Sequence, residues 1–494
     1  MSMRFAAALL LALPALADAV QTSTGALNGA TARDSQVRVF KGIPYAAPPV
    51  GPMRWKPPQD PAAWQGSREA KQFANECMQL PYPQSSLYYR PPQLMSEDCL
   101  YLNVWTGAKD ATEKRPVMVW IHGGAYTRGS GSTPTYDGEN FAAKGVVLVT
   151  VNYRLGVFGF LSHPELTRES DVKSSGNYGL LDMVKALEWV KKNIAAFGGD
   201  PDKVTIFGES AGSSAVNFLM ASPLAKGLFH RAIGQSGANF GRTATLAANE
   251  REGLKVGESL AVLRGKPAAE LIKAPGIHRP AIDGWFLPED VSAIFAKGKH
   301  SDVPLLAGYN ADEGTTLAPW TGNAQYFSGM IEQRYGAYAD ELLRLYPAGS
   351  DDQAAKSYYA SFRDQGMGWQ MRTWARAAAK SGKSPAYLYY FTRVPPGFEK
   401  YGAFHAAEIQ YVFGNLSPQR QWEEADRDLT KAMTAYWVNF AAAGDPNGKG
   451  LPAWPKYDPK KDESMIFGES LEVKSGVNKR ALDLFDRMAV TAAR

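Results

Sequence analysis

Residues 204–207 read VTIF, an apolar strand-like run, residues 208–212 read GESAG, and a helix-like run of small and apolar residues begins near Ser213. A chain passes from strand to helix over so few residues only by a sharp turn, and glycines flanking the serine let other backbone approach closely. Such an elbow lifts the Ser210 hydroxyl clear of a sheet edge, where it is available for chemistry. By itself the GxSxG pattern is weak, because a chain with 47 glycines produces it by chance a fraction of the time. The chain also carries a decoy, since IFGES occurs at 206–210 and again at 466–470. Only the first copy continues with Ala211, Gly212 and a small-residue helix start, so Ser470 is expected to be an ordinary strand or turn serine.

The neighbouring elements point the same way. Residues 117–124 read VMVWIHGG and residues 146–153 read VVLVTVNY. Near-continuous runs of Val, Ile and Leu belong to strands covered on both faces, as in a parallel sheet. Leu181, Val184, Leu187, Val190 and Ile194 recur at helical spacing, and Gly198, Gly199, Asp200 and Pro201 stop that helix. Strand, helix, strand, elbow, helix is the order of an α/β protein with a doubly wound sheet. A length of 494 residues suggests about three domains, yet large α/β enzymes exceed the usual size as one unit, and no internal repeat or low-complexity linker divides the chain. Residues 20–494 are therefore expected to form a single domain.

Residues 1–19 have the parts of a secretory signal: a short basic start ending at Arg4, an apolar run over 5–16, and Ala17-Asp18-Ala19 with cleavage expected after Ala19. The run is too short to span a bilayer, and no other segment approaches the ~20 apolar residues that a spanning helix needs. No membrane anchor is expected. Export to an oxidising compartment, periplasmic or extracellular, implies that the only two cysteines, Cys77 and Cys99, form one disulfide. Two cysteines and six scattered histidines offer no metal-ligand spacing, so no metal is expected. The net charge of +5 is small for this length and its signs are interspersed, which gives nucleic-acid binding no support.

A serine hydroxyl needs a histidine base, and the histidine needs a carboxylate to set its tautomer. In α/β-hydrolases these follow the serine in the order acid, histidine. His122 and His163 precede Ser210, leaving His230, His278, His300 and His405. His230 follows the elbow too closely and sits in a helix-to-strand passage, while His278 and His300 leave little chain for an acid-bearing strand before them. His405, in a glycine-containing loop-like stretch, is the remaining candidate. The acid belongs after the short strand 303–308, where Asp312 and Glu313 both satisfy the spacing. Oxyanion donors are expected from the backbone N–H groups of Gly123 and Gly124, in the HGGA run, and of Ala211, the residue after the serine.

With these pieces placed, four separated blocks carry a resemblance: FKGIPYAAPPVGPMRW at 40–55, SEDCLYLNVW at 96–105, VNYRLGVFGFL at 151–161 and FGESAGSSA at 207–215. The chain resembles the type-B carboxylesterases, a family that includes bacterial para-nitrobenzyl esterases, animal carboxylesterases and the cholinesterases. The resemblance covers nearly all of the chain beyond the signal. It implies an α/β-hydrolase fold, with a large, mixed, mostly parallel sheet flanked by helices. It further implies hydrolysis of small-molecule carboxylic esters through an acyl-enzyme on Ser210, with no cofactor. The family's acid falls on Glu313 and its histidine on His405. Cys77 and Cys99 match its first disulfide, and Arg54 with Glu97 and Arg154 with Asp182 match its structural ion pairs.

Departures from the cholinesterase branch matter for substrate. The loop between the cysteines holds Tyr82, Tyr88 and Tyr89 and no tryptophan, which argues against choline esters. Residues 273–279 correspond to the family's acyl-pocket segment, with small residues and three potential cations in place of aromatics. That composition suits a bulky or carboxylate-bearing acyl group, or else a solvated surface loop. Two alternatives accompany the esterase reading: an interfacial lipase for long-chain esters, and a non-catalytic binding module on the same fold, against which retention of Ser210, Glu313 and His405 speaks. The sequence leaves the oligomeric state open.

Overall fold

Val117, Val119 and Ile121 face one side of their strand and Met118 and Trp120 the other, and all five are buried. Successive side chains alternate across a strand, so apolar residues at every position require a cover on both faces. The computed structural model describes residues 19–32, 35–241 and 243–492. Apart from Ala19, the expected export segment 1–19 lies outside the described residues.

The main sheet has 11 strands. In chain order they are β1 (Ala30–Thr31), β2 (Arg38–Pro44), β3 (Tyr101–Thr106), β4 (Arg115–Ile121), β5 (Val147–Val151), β6 (Gly199–Glu209), β7 (Arg231–Gln235), β8 (Leu305–Asn310), β9 (Ala386–Phe391), β10 (Glu463–Phe467) and β11 (Leu471–Ser475). Their spatial order is β11-β10-β9-β8-β7-β6-β4-β5-β3-β2-β1. From β5 through β4 and β6 to β10 every pairing is parallel, and the outer strands at both ends pair antiparallel. This is the α/β-hydrolase arrangement of a large mixed sheet.

Helices cover both faces. Helix α1 (Tyr178–Asn193) buries Leu181, Val184, Leu187 and Val190 on the face that also takes α2 (Ala211–Ala221) and α3 (Trp369–Ser381). A short 3₁₀ turn, Ile194–Phe197, extends α1, and Gly198 ends it at φ 78°, a left-handed conformation that costs glycine little. The opposite face is packed by α4 (Glu424–Ala443) through Leu429, Met433, Trp437 and Phe440. Strand β6 runs longer than residues 204–207, with a register shift against β4 between Gly199 and Val204. The second IFGES ends β10 and turns back into antiparallel β11, so Ser470 occupies a hairpin turn where Ser210 starts a helix. Among the described residues no helix is long and apolar enough to cross a membrane.

Cys77 and Cys99 are joined by a disulfide across a sequence separation of 22. Arg54 grips the Glu97 carboxylate with Nε and Nη2 at 2.7 and 2.5 Å, and its Nη1 donates to the carbonyls of Leu263, Arg264 and Lys266. Arg154 binds Asp182 through Nε and Nη2 at 2.8 and 2.7 Å and through its backbone N–H at 3.0 Å. Both members of the second pair are buried. Removing one partner from such a pair leaves the other charge uncompensated in a medium that solvates it poorly. Asp182→Asn is therefore expected to destabilise the protein by about 3–5 kcal/mol, measured as a drop in thermal or urea midpoint, and an unchanged midpoint would show that Arg154 finds other solvation.

Candidate active site

Strands β4, β6, β7 and β8 end side by side, and the loops at their carboxyl ends hold the candidate residues, the position where ligands bind in open parallel sheets. Ser210 follows β6 at φ 56° and ψ −120°, outside the conformations that a residue with a Cβ prefers. The turn is held by the Ser210 N–H donating to the Gln235 carbonyl at 2.8 Å and by the Ser214 N–H donating to the Ser210 carbonyl at 2.9 Å. Its glycines have a steric reason. A Cβ on Gly212 would lie 2.0 Å from the Ile121 oxygen, and one on Gly208 would lie 2.5 Å from the Gly212 carbonyl carbon. The elbow is thus pressed onto the end of β4.

The glycines after β4 pack against the same turn. A Cβ on Gly123 would sit 3.1 Å from the Ser210 Cβ. Gly124 has φ 104°, and its carbonyl accepts the N–H groups of Thr127 and Arg128. The N–H groups of Gly123 and Gly124 donate to nothing among the described residues, and that of Ala211, first in α2, has no intrahelical acceptor. Preceding them, His122 stacks on Tyr153 at 4.4 Å, and burial lowers its pKa to about 4, which keeps it neutral.

His405 lies in the loop after β9, buried, with Nδ1 2.5 Å from Glu313 Oε2. Glu313, just beyond β8, is fully buried, and its Oε1 accepts the Ser236 hydroxyl at 2.6 Å and the Asn310 N–H at 2.8 Å. Asp312, which spacing leaves equivalent, instead accepts the Ala403 N–H at 2.8 Å and so buttresses the histidine loop. Three other histidines stay in the framework: His230 pairs with the backbone of Val204, His163 caps a short helix, and His300 stacks on Phe295.

Several neighbours carry little sequence signal. Glu209, the variable second residue of the pentapeptide, places Oε1 3.0 Å from His405 Nε2 without hydrogen-bonding geometry, and both atoms are buried and unpaired among the described residues. Nε2 is therefore not hydrogen-bonded to Ser210 here, a contact that commonly tightens only with substrate bound. Glu408 accepts from Gln235 at 2.9 Å and from Asn310 at 2.6 Å. Burial opposes a charged His405, but the carboxylates of Glu209 and Glu313 outweigh it and hold the imidazole pKa above its ordinary value. Burial also pushes the Glu209 carboxyl up, with His405 pulling it down. The one available clue is the stretch GQSGA at 234–238, across the end of β7, which resembles the elbow and supplies Ser236 at φ 58°.

Ser210 and Ala211 open on a cavity of about 730 Å³. Residues 276–280 line it, including His278 and Arg279, whereas Lys273 is exposed and faces elsewhere. The segment is thus both solvent-accessible and a wall of the cavity. Arg128, from the turn after Gly124, lines it too. The disulfide-closed loop reaches the site through Leu80, which lines the cavity, and Tyr88, whose hydroxyl donates to the His405 carbonyl at 2.9 Å. Among the described residues, no group of three or more His, Cys, Asp or Glu side chains is arranged to hold a metal ion.

Comparison with known proteins gives consistent matches. A profile of the carboxylesterase family matches residues 17–485. A fumonisin B1 esterase of Sphingopyxis macrogoltabida is 40% identical over 482 residues, covering 92% of this chain and 87% of that protein. A para-nitrobenzyl esterase of Bacillus subtilis (strain 168) is 37% identical over 488 residues, covering 92% of this chain and 96% of that protein. A solved structure of a PNB esterase superposes with a TM-score of 0.82 at 34% identity, covering 95% of this chain and 99% of that one.

Glu209→Gln removes a carboxylate whose field favours protonated His405. The histidine of the variant is expected to release its proton at lower pH than in the wild type, by ~1 unit or more. Imidazole NMR titration measures this, and an unmoved or raised midpoint would show that Glu209 does not act on the ring.

Proposed function

Because the chain belongs to the carboxylesterase family, we propose that it works as a serine esterase through an acyl-enzyme on Ser210, with His405 as base and Glu313 as its orienting acid. Hydrolysis of carboxylic esters is the activity of the family's named members, and the α/β-hydrolase fold matches theirs. The observation that carries the finer reading is the 2.5 Å Glu313–His405 contact behind a serine at positive φ that opens on the cavity.

In this reading Glu313 accepts the Nδ1 proton and leaves Nε2 with a lone pair. As the Ser210 oxygen attacks the ester carbonyl, its proton passes to Nε2, and the imidazolium is stabilised by Glu313. Negative charge grows on the former carbonyl oxygen, to which the N–H groups of Gly123, Gly124 and Ala211 donate. Those groups have no competing acceptor among the described residues, so no hydrogen bond to them must break to receive it. Collapse expels the alcohol, which takes the proton from Nε2. Water then repeats the attack on the acyl-enzyme, again losing its proton to His405, and the carboxylic acid is released. No step calls for a metal or organic cofactor.

Residues 20–494 are read as one domain of an exported protein, processed after Ala19. The sequence of residues 1–19 supports this reading, as does the Cys77–Cys99 disulfide, a bond that persists in oxidising compartments. The relatives' names specify different substrates, so membership gives the bond cleaved and not the ester.

Ser210→Ala and His405→Ala are each expected to lower kcat on a chromogenic ester by at least ~10³-fold, with folding intact by circular dichroism. Undiminished turnover by either variant would exclude its role.

A further inference from the structure

The cavity beside Ser210 has a lopsided charge. Among the described residues its basic lining is Arg128, His278 and Arg279, no Asp or Glu lines it, and burial holds the phenol of Tyr126, the remaining titratable group there, in its neutral form. Burial lowers the His278 pKa, so at neutral pH the permanent charges are the two guanidiniums. Among the described residues neither has an acidic partner. Arg128 uses only Nε, donating to the Leu80 carbonyl at 3.0 Å, and lies 5.0 Å over the Tyr82 ring, which leaves both Nη groups uncommitted. The Arg279 side chain makes no hydrogen bond or ion pair among the described residues, and the acid within reach of its field, Glu252, is already held by Lys255 at 2.6 Å. In the same wall the Thr243 hydroxyl is buried without a hydrogen-bond partner among the described residues.

Two like charges in one partly enclosed cavity repel each other and raise its positive potential, a cost that a neutral ester does nothing to offset. Guanidinium forks match carboxylate geometry and give charge-assisted hydrogen bonds. We propose that this cavity selects esters carrying a free carboxylate besides the scissile bond, half-esters of dicarboxylic acids being the simplest members, and that Arg279 and Arg128 are its specificity-determining residues. The inference rests on Ser210 being the nucleophile. The substrate carboxylate pairs with the arginines before and during the reaction alike, so the gain falls mainly on KM. The bond chemistry is unchanged: water supplies hydroxyl to the acyl carbon and a proton to the alcohol, and the product is a dicarboxylate.

The test compares monoethyl glutarate with its neutral isostere, in which an amide replaces the free carboxylate, following acid release by pH-stat at fixed ionic strength. Wild-type kcat/KM should favour the half-ester by at least about tenfold, mainly through KM, the size of a single charge-assisted hydrogen bond. Arg279→Gln and Arg128→Gln should each lower the ratio of the two kcat/KM values by about tenfold, and Arg279→Lys should restore part of it. Circular dichroism reports that each variant is folded. A wild type that hydrolyses both esters alike, or substitutions that leave the ratio unmoved, would overturn the inference while the serine mechanism stands. Loss of Ser210 dependence with 4-nitrophenyl acetate would instead remove the mechanism beneath it.

Discussion

Where the elbow meets the end of β4, backbone touches backbone with no room for a side chain. Gly212 lies against the Ile121 carbonyl and Gly208 against Gly212 itself. That contact brings Gly123 to the Ser210 Cβ and leaves the N–H groups of Gly123, Gly124 and Ala211 without acceptors among the described residues. A serine at φ 56° is strained, and such strain persists only where the surroundings over-determine it. Here the surroundings are the central parallel strands, whose paired backbone and double apolar cover resist displacement.

Around that rigid turn the fold buries three carboxylates and an imidazole. Each carboxylate is treated differently. Glu313 is satisfied by Ser236, Asn310 and His405, and Glu408 by Gln235 and Asn310. Glu209 has an oxygen with no hydrogen bond among the described residues, facing His405 Nε2. Burying an unsatisfied anion is expensive, so the group relieves the cost by holding its proton to higher pH. The histidine therefore stands between a carboxylate fixed by hydrogen bonds and another whose charge it influences, and its proton affinity belongs to the group as a whole.

Legibility depended on the range of the interactions. The strand and helix runs were readable because alternation and helical period are local, and their limits moved by only a few residues where pairing continued past the apolar core, as in β6. The identical string at 466–470 ends a strand as well, and the next residues separate the two copies: small ones start a helix after Ser210, whereas a β-rich return comes after Ser470. Asp312 and Glu313 were equivalent by spacing, since adjacent residues at a strand end differ only in direction. The fold turns Glu313 onto His405 and Asp312 onto the Ala403 N–H. The stretch 273–279 read equally as pocket or surface, and it is a wall open to solvent.

By itself, then, the sequence determined the order of elements, the elbow, the candidate serine, acid and histidine, and the resemblance that names a reaction, because each depends on residue type and spacing along the chain. Tertiary structure alone decided that Glu209 faces His405, that Ser236 and Asn310 bind Glu313, and that Arg128 and Arg279, 151 positions apart, line one cavity to which no described residue brings an acid. Contacts between loops at the ends of different strands leave no periodic trace in the chain, and burial fixes charge and protonation only once those loops meet.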